Sequence, residues 1–189
     1  AGERGIRVDE EGFREELRQH QVLSRKGAEK KFKGGLADAG ETTTQLHTAT
    51  HLMLAGLRNI LGDHVHQAGS NITAERTRFD FTHPEKVSRE ILDTVEEYVN
   101  EAIHKKCDVT IEKMTKKDAK KEGVEGSFWE RYPDTVNVYM VKCSDGTVYS
   151  RELCGGPHVA NTGDIKGKFR IKKEEASSAG VRRIKAVIE

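Results

Sequence analysis

The sequence lacks any long run of apolar residues, and this absence limits the classes of protein to which it can belong. Its longest apolar stretches are too short to cross a membrane, and the N-terminus has no apolar core of a signal peptide. We therefore expect a cytoplasmic protein with no membrane partner. A length of 189 residues is enough for one sizeable core.

An excess of charge of one sign is also missing, because 32 lysines and arginines stand against 31 acidic residues. This balance excludes a bulk polyelectrolyte, so any contact with nucleic acid has to come from local basic clusters. Cysteine is scarce, with Cys107, Cys143 and Cys154 far apart in the chain. An odd number at wide spacing argues against a disulfide framework, and we interpret Cys107 and Cys143 as ordinary structural thiols.

The first part of the chain differs in composition from the rest. Residues 1–40 are dense in charged side chains and end in a glycine-rich break, which predicts a solvated helical arm followed by a compact domain over residues 41–189. Within that domain, apolar residues recur every three to four positions over residues 43–61. A second helix follows a predicted capping box formed by Thr82 and Glu85.

Alternating apolar and polar residues indicate β-strands in most of the remaining chain. The turn at Asp145 and Gly146 joins two of them as a hairpin, and Thr115 with Asp118 predicts a cap for a short lysine-rich helix. Two long helices with about six antiparallel strands predict an α+β fold, in which an antiparallel sheet packs against the helices and a helical arm precedes them. The strand-like runs lie near residues 65–67, 76–81, 109–111, 136–141, 147–153, 165–171 and 181–188.

Two histidines lie four residues apart on the first predicted helix of the domain. At this spacing His47 and His51 project from the same helical face and can share one metal ion, although the pair alone is a weak signal. Thr48 stands where a zinc protease of the His-Glu type needs its general base. Peptide hydrolysis by that route is therefore disfavoured.

A second pair of metal-binding side chains follows about 100 residues later. Cys154 and His158 flank Gly155, Gly156 and Pro157, a spacer that forms a tight turn with exposed backbone N–H groups and no regular helix. Together with His47 and His51 they supply a mixed nitrogen and sulfur ligand set, which suits Zn²⁺. Four protein ligands would make the zinc structural, whereas one loose ligand would leave a position for water or substrate.

Several segments together resemble the editing domain of alanyl-tRNA synthetase, within the superfamily of threonyl and alanyl tRNA synthetase second additional domains. The resemblance extends over nearly the whole chain, including an arm similar to the one that precedes the editing region. The sequence is similar to the short form of this domain, which lacks an inserted β-barrel. It has Pro157 at a position where threonine is commoner in the family. The matching segments are His47–His51 (HTATH), 62–70 (GDHVHQAGS), 78–81 (RFDF), 154–158 (CGGPH), 162–165 (TGDI) and 179–184 (AGVRRI).

This resemblance implies hydrolysis of tRNA for alanine that carries serine or glycine by mistake, by an aminoacyl-tRNA deacylase domain within a larger synthetase. Zinc would either activate water or hold the substrate's amino group. Carried over by position, the resemblance makes His47, His51, Cys154 and His158 the metal and catalytic residues. It also places Gln67 in the amino-acid pocket, which makes it a catalytic and substrate-binding position. Further contacts to substrate or tRNA are expected from Gly155, Gly156, Arg182 and Arg183.

Two alternatives stay open from the sequence. One is a free-standing trans-editing deacylase of the same superfamily, and the other is a zinc-stabilised module that binds tRNA without catalysis. The second is consistent with lysine clusters such as 116–117 with 120–121, although such clusters are usually solvated surfaces. Expected partners in the leading interpretation are the aminoacylated 3′ end of tRNA for alanine and the remainder of the synthetase.

Overall fold

The structure is a computed structural model that describes residues 12, 14–16, 18–19, 35–127 and 129–189. The chain divides into two compact units, residues 1–33 and 34–189. The described residues of the first unit are helical. Most of the predicted arm lies outside the described residues, and its proposed boundary at residue 40 stays a prediction.

The second unit combines helices with antiparallel strands, which confirms the α+β class. It has two long helices, a one-and-a-half-turn helix and seven strands among its described residues. In chain order these are α1 (Glu41–Leu61), β1 (Gln67–Ile72), β2 (Thr77–Thr82), α2 (Arg89–His104), β3 (Asp108–Thr115), α3 (Lys116–Lys121), β4 (Thr135–Lys142), β5 (Val148–Leu153), β6 (Phe169–Ser178) and β7 (Val181–Ile188).

The strands form two sheets where the sequence predicted one. One sheet has the order β1-β2-β7-β6, and the other has the order β3-β4-β5. The main core lies between the long helices and the sheets, with Leu52, Met53 and Val95 from the helices buried alongside Phe79 and Ile184 from the strands. A smaller core under α3 buries one face of the three-stranded sheet. No helix within the described residues has the length and apolarity that crossing a membrane requires.

The ends of the helices show which local signals were sufficient. Gly62 ends α1 as predicted, with φ of 110° and its N–H bonded to the Arg58 carbonyl at 2.9 Å. Thr115 caps α3 as predicted, since its side chain accepts from the Asp118 N–H at 3.1 Å. The capping box at Thr82 was wrong, because Thr82 is still in β2 and donates to the His64 carbonyl at 2.5 Å.

Ser88 caps α2 instead, and its hydroxyl accepts from the Ile91 N–H at 3.4 Å. The strand run expected from residue 165 begins only at Phe169, after a short 3₁₀ turn over residues 162–164. The starts of α2 and β6 were mispredicted for one reason. The sequence contains several residues that could cap a helix or continue a strand, and the pairing between strands decides which of them do so.

The expectation that Cys107 and Cys143 are separate thiols was wrong. They form a disulfide with a Cα–Cα distance of 4.1 Å. Strand pairing explains this, because Asp108 at the start of β3 lies opposite Lys142 at the end of β4. The residues just outside that pair are therefore adjacent. Cys154 is the free cysteine among the described residues, and it is buried.

Candidate metal centre

Helix α1 supplies the first half of the site. His47 and His51 lie one turn apart on the same helical face, and their Nε2 atoms are 3.2 Å from each other. His47 is only 3% exposed, which is unusual for a side chain that can carry charge. The helix therefore holds two ring nitrogens side by side below the surface, as its sequence spacing predicted.

The turn that follows β5 supplies the second half. Cys154 Sγ lies 3.5 Å from His47 Nε2, and the His158 ring stacks on the His47 ring at a centroid distance of 4.2 Å. A Cβ at Gly156 would come within 2.6 Å of His47 Cε1, so this close approach of turn and helix requires glycine. The turn is the tight one expected from its two glycines and proline.

The ligand atoms of His47, His51, Cys154 and His158, here named the metal-ligand cluster, all lie within 4.8 Å of one another. The outer nitrogen of each histidine has a partner on the protein. His47 Nδ1 donates to the Pro157 carbonyl at 2.8 Å, and His51 Nδ1 contacts the Glu152 carboxylate.

His158 Nδ1 lies 3.1 Å from Thr48 Oγ1, which completes the set of outer contacts. Such contacts fix the ring orientation and direct the second nitrogen of each ring inward, as in proteins that bind metals through histidine. The inward nitrogen of His158 is buried and has no hydrogen-bond partner among the described residues. A buried polar atom without a partner is costly, and a metal ion bound by three imidazoles and a thiolate would remove that cost.

Burial and the neighbouring side chains shift the pKa values of two of the four ligands toward their metal-binding forms. Burial raises the pKa of the Cys154 thiol, but His51 and the other two histidines outweigh it and hold the pKa well below its ordinary value. Burial lowers the pKa of His158 to about 3. The first shift favours the thiolate and the second favours the neutral imidazole, which are the forms that bind metals.

His51 has the opposite shift. Burial alone would lower its pKa, yet the Glu152 carboxylate and Cys154 raise it well above the usual value. Glu152 is itself buried and also accepts from the Ser150 hydroxyl at 3.0 Å. The cluster thus contains a carboxylate in contact with one ligand, a pattern that orients metal-bound histidines and raises their basicity.

A small cavity adjoins the cluster on the side of His47 and His51. Gln67, which the family resemblance placed in the amino-acid pocket, lines it, and its side-chain amide donates to Ser70 Oγ at 3.3 Å. Both polar and apolar side chains line the cavity. Its lining comprises His47, Thr50, His51, Leu54, Gln67, Ser70, Ile72, Phe79 and Glu152.

The predicted tRNA-binding arginines are engaged elsewhere. Arg183 makes a bidentate ion pair with Asp80 across the β2–β7 strand pair. Its guanidinium nitrogens lie 2.6 and 2.8 Å from the two carboxylate oxygens. Arg182 pairs with the buried Glu174 at 2.5 Å. Neither belongs to the metal-ligand cluster. Gly156 is buried with its N–H directed at Cys154 Sγ at 3.4 Å, while Gly155 is exposed.

Sequence reasoning missed the residues that surround the cluster. Glu152 could have been found, because it precedes Cys154 by two residues in an extended segment and therefore faces the same side. Thr48 was read only as a missing catalytic base, although its hydroxyl contacts His158 and accepts from the Val159 N–H at 3.2 Å. Thr50 and Ser70 gave no signal that separates them from other hydroxyl residues.

Comparison with known proteins gives consistent matches. Residues 136–185 match the family described as Threonyl and Alanyl tRNA synthetase second additional domain. Over its whole length the chain is 54% identical to an alanine–tRNA ligase of Treponema denticola and covers 30% of that protein. It is 50% identical over 188 residues to the alanine–tRNA ligase of Borrelia hermsii, covering 31% of it.

In a more distant comparison, 75% of the chain is 51% identical to 15% of an alanine–tRNA ligase from a Thermoanaerobacter species. The chain thus spans about a third or less of the length of these relatives. The matched region includes the turn that carries Cys154 and His158. These matches confirm the resemblance seen in the sequence motifs: residues 136–185 match the family of threonyl and alanyl tRNA synthetase second additional domains, and the whole chain is similar to one region of alanine–tRNA ligases.

Proposed function

We propose that this chain is the editing domain of an alanyl-tRNA synthetase, which hydrolyses the ester of tRNA for alanine charged with serine or glycine. The observation that carries the proposal is the metal-ligand cluster, in which three inward imidazole nitrogens and one thiol converge beside a small, partly polar cavity. A binding module has no need for such a cavity next to its metal. A hydrolase that acts through its metal ion needs both.

The reaction class follows from the limits of recognition by size. A pocket that accepts alanine cannot exclude glycine, which is smaller, and rejects the hydroxyl of serine only partly, so a second site is required. The cavity offers the Gln67 amide and the Thr50 and Ser70 hydroxyl groups near the cluster. Hydrogen bonds from such groups favour a substrate with a side-chain hydroxyl over alanine.

We assign the four ligands to Zn²⁺ because the mixed nitrogen and sulfur set suits it better than Mg²⁺ or Ca²⁺. Bound zinc would supply a positive charge for water or for a group of the substrate. The chain's own contribution is to hold the ligands in place: Thr48, Glu152 and the Pro157 carbonyl orient the three rings. The shifted pKa values favour the thiolate of Cys154 and the neutral imidazole of His158, which are the forms that bind metals.

The proposed partners are the aminoacylated 3′ end of tRNA for alanine and the rest of the synthetase. Coverage of about 30% of the relatives favours a domain of a longer enzyme over a free-standing trans-editing deacylase. Arg182 and Arg183 are both paired with acidic groups. They could contact a phosphate of the tRNA only if those ion pairs were broken. A cytoplasmic location is the one that tRNA charging implies, and it stays part of the proposal.

The test is hydrolysis of Ser-tRNA and Ala-tRNA, both charged on tRNA for alanine, by the purified chain, with zinc content measured on the same sample. We expect rapid loss of the serine ester, sparing of the alanine ester and about one zinc per chain. Equal, uncatalysed decay of both esters with zinc bound would contradict editing by this chain. Together with salt-dependent binding of tRNA, that outcome would favour the non-catalytic zinc-stabilised module.

A further inference from the structure

The backbone of residues 158–162, here named the anchor segment, is tied to the end of α2 and the start of β3. Thr162 is fully buried, and its hydroxyl donates to the Ala102 carbonyl at 2.6 Å and accepts from the Cys107 N–H at 2.8 Å. The Thr162 N–H donates to the Cys107 carbonyl at 2.9 Å. Thr162 belongs to the TGDI motif, to which the proposed function gives no role.

Two further hydrogen bonds hold the anchor segment between its ends. The Val159 N–H donates to Thr48 Oγ1 at 3.2 Å, and the Ala160 carbonyl accepts from the Val109 N–H at 2.9 Å. The same Thr48 hydroxyl lies 3.1 Å from His158 Nδ1. His158 is therefore the first residue of a backbone that is held to α1 at one point and to β3 at another, and these contacts fix where its ring lies.

Cys107 connects the anchor segment to a bond that depends on oxidation state. Its disulfide to Cys143 lies in the main core. If that bond is reduced, the two sulfur atoms have to separate to van der Waals contact, and a close-packed interior accommodates this only by moving its neighbours. Because Cys107 is bound through both its N–H and its carbonyl to Thr162, a shift of Cys107 displaces the anchor segment.

We propose that the Cys107–Cys143 pair is a redox-sensitive support of the zinc ligand His158, with Thr162 as the positioning residue that connects them. The oxidised pair holds His158 in place, and reduction loosens it and weakens zinc binding. The inference rests on the proposed function, which assigns Zn²⁺ to the cluster and a cytoplasmic location to the chain. Disulfides are uncommon in that reducing compartment, and those that occur there are usually catalytic or redox-sensing.

The redox step is a thiol–disulfide exchange. As the bond between Cys107 and Cys143 forms, two protons and two electrons pass to a small-molecule disulfide, whose own S–S bond breaks to give two thiols. A dithiol reductant reverses the step and is itself converted to a disulfide. Exchange requires access to sulfur, and the two cysteines are 0% and 5% exposed. Exchange is therefore slow in the folded chain, and each oxidation state persists long enough to be studied separately.

The test compares the oxidised chain with the same chain reduced by a phosphine, which is removed without air before measurement. Counting thiols after denaturation should find one in the oxidised chain, from Cys154, and three in the reduced chain. Zinc affinity, measured by competition with a chelator, should fall about tenfold on reduction, the lower end of the range for losing a contact that orients a ligand. The visible spectrum of the Co²⁺-loaded chain should shift on reduction toward that of His158→Ala.

Variants test the route from the disulfide to the ligand. Cys107→Ala with Cys143→Ala should bind zinc equally before and after phosphine treatment. His158→Ala should also lose the redox difference, whereas His51→Ala, which removes a ligand on α1, should bind zinc more weakly but keep that difference. In the oxidised chain, Thr162→Val should lower zinc affinity about tenfold, and Thr162→Ser, which keeps the hydroxyl, should restore it. The wild-type comparison decides if Thr162→Val fails to fold.

Several outcomes would overturn the redox support and leave the proposed function standing. These are equal zinc affinity of the oxidised and reduced chains, a redox difference that survives in His158→Ala, or three free thiols after treatment with oxidised glutathione. A reduced chain that no longer folds would show that the disulfide supports the whole domain, which would contradict a specific effect on His158. Failure of both oxidation states to bind zinc would count against the proposed function as well.

Discussion

Two groups of buried polar side chains in this molecule differ in how completely the fold satisfies them. Glu96 on α2 is 4% exposed and accepts from Arg89 at 2.5 Å, from Arg170 at 3.1 Å and from the Ile171 N–H at 2.8 Å. Burial raises its pKa, but these donors, with Arg89 the strongest, hold the pKa below its ordinary value. The Glu96 cluster, formed by Glu96, Arg89 and Arg170, has a partner for its charge and joins a helix to a strand.

The metal-ligand cluster is satisfied only on its outer side. Each histidine has a protein partner at Nδ1, while the buried Nε2 of His158 has none among the described residues. Both groups bury polar atoms, and burial without a partner costs stability. The Glu96 cluster therefore stabilises the fold by itself, whereas the arrangement around His158 would be stabilised by the metal ion that we propose for it.

The largest expected effect comes from removing two ligands. The double variant Cys154→Ala with His158→Ala should weaken zinc binding by more than about 100-fold, because loss of an outer partner alone costs about 10- to 100-fold. Ester hydrolysis should fall with it, while circular dichroism stays close to that of the parent chain. Zinc affinity is measured by competition with a chelator.

A suitable control for that variant is His104→Ala, which removes an exposed histidine at the end of α2. It should change neither zinc binding nor hydrolysis. Full ester hydrolysis by the double variant would show that the four residues are not the catalytic metal site. The contrast between the two buried clusters would then say nothing about function.

Glu152→Gln should have the next largest effect. The amide keeps the shape of the side chain but removes the negative charge that faces His51, so zinc affinity should fall about 10- to 100-fold. The matched control is Glu122→Gln, which removes an exposed carboxylate paired with Arg151. Unchanged zinc affinity in Glu152→Gln would contradict a positioning role for this carboxylate.

Glu96→Gln should give the reverse pattern. We expect the free energy of unfolding to fall by about 2 kcal/mol, since hydrogen bonds to a charged acceptor are replaced by weaker ones, with zinc affinity unaltered. The lowered pKa of Glu96 means that its contribution is present above about pH 4.5 and is lost as pH falls through its folded pKa. Parent and variant should therefore converge in acid.

Urea unfolding of the zinc-free chain at several pH values measures this effect, with Glu97→Gln, an exposed neighbour, as control. A constant difference between parent and Glu96→Gln down to pH 3 would mean that the carboxylate charge is not what stabilises the cluster. A loss of zinc affinity would mean that the two clusters are not separate.

The sequence predicted the metal-ligand cluster because its information is local. Residues four apart on a helix share a face, and the two glycines before Pro157 require a turn, so each half of the site could be recognised independently. The outer partners could not be found in the same way. Glu152 meets His51 across 101 residues of sequence, and this contact depends on how β5 packs against α1.

The same reasoning explains the errors in the fold. Gly62 marks the end of α1 through a conformation that only glycine adopts readily, so the end of that helix was predictable. The start of α2 was not, because Thr82 and Ser88 are both good caps and strand pairing with β7 retains Thr82. The Cys107–Cys143 disulfide likewise follows from the register of β3 and β4, which alternation alone does not specify.

The smallest expected effect concerns the cavity beside the cluster. Gln67→Ala should reduce the preference for the serine ester over the alanine ester by about tenfold or less, the range for one polar contact, and leave zinc affinity unchanged. Rates with both esters on tRNA for alanine measure the preference, and Asn71→Ala at the far end of β1 is the control. An equal loss with both esters would assign Gln67 to the support of the site. A loss confined to the serine ester would show that the cavity recognises the serine hydroxyl. The metal-ligand cluster and the neighbouring cavity would then act on the same substrate.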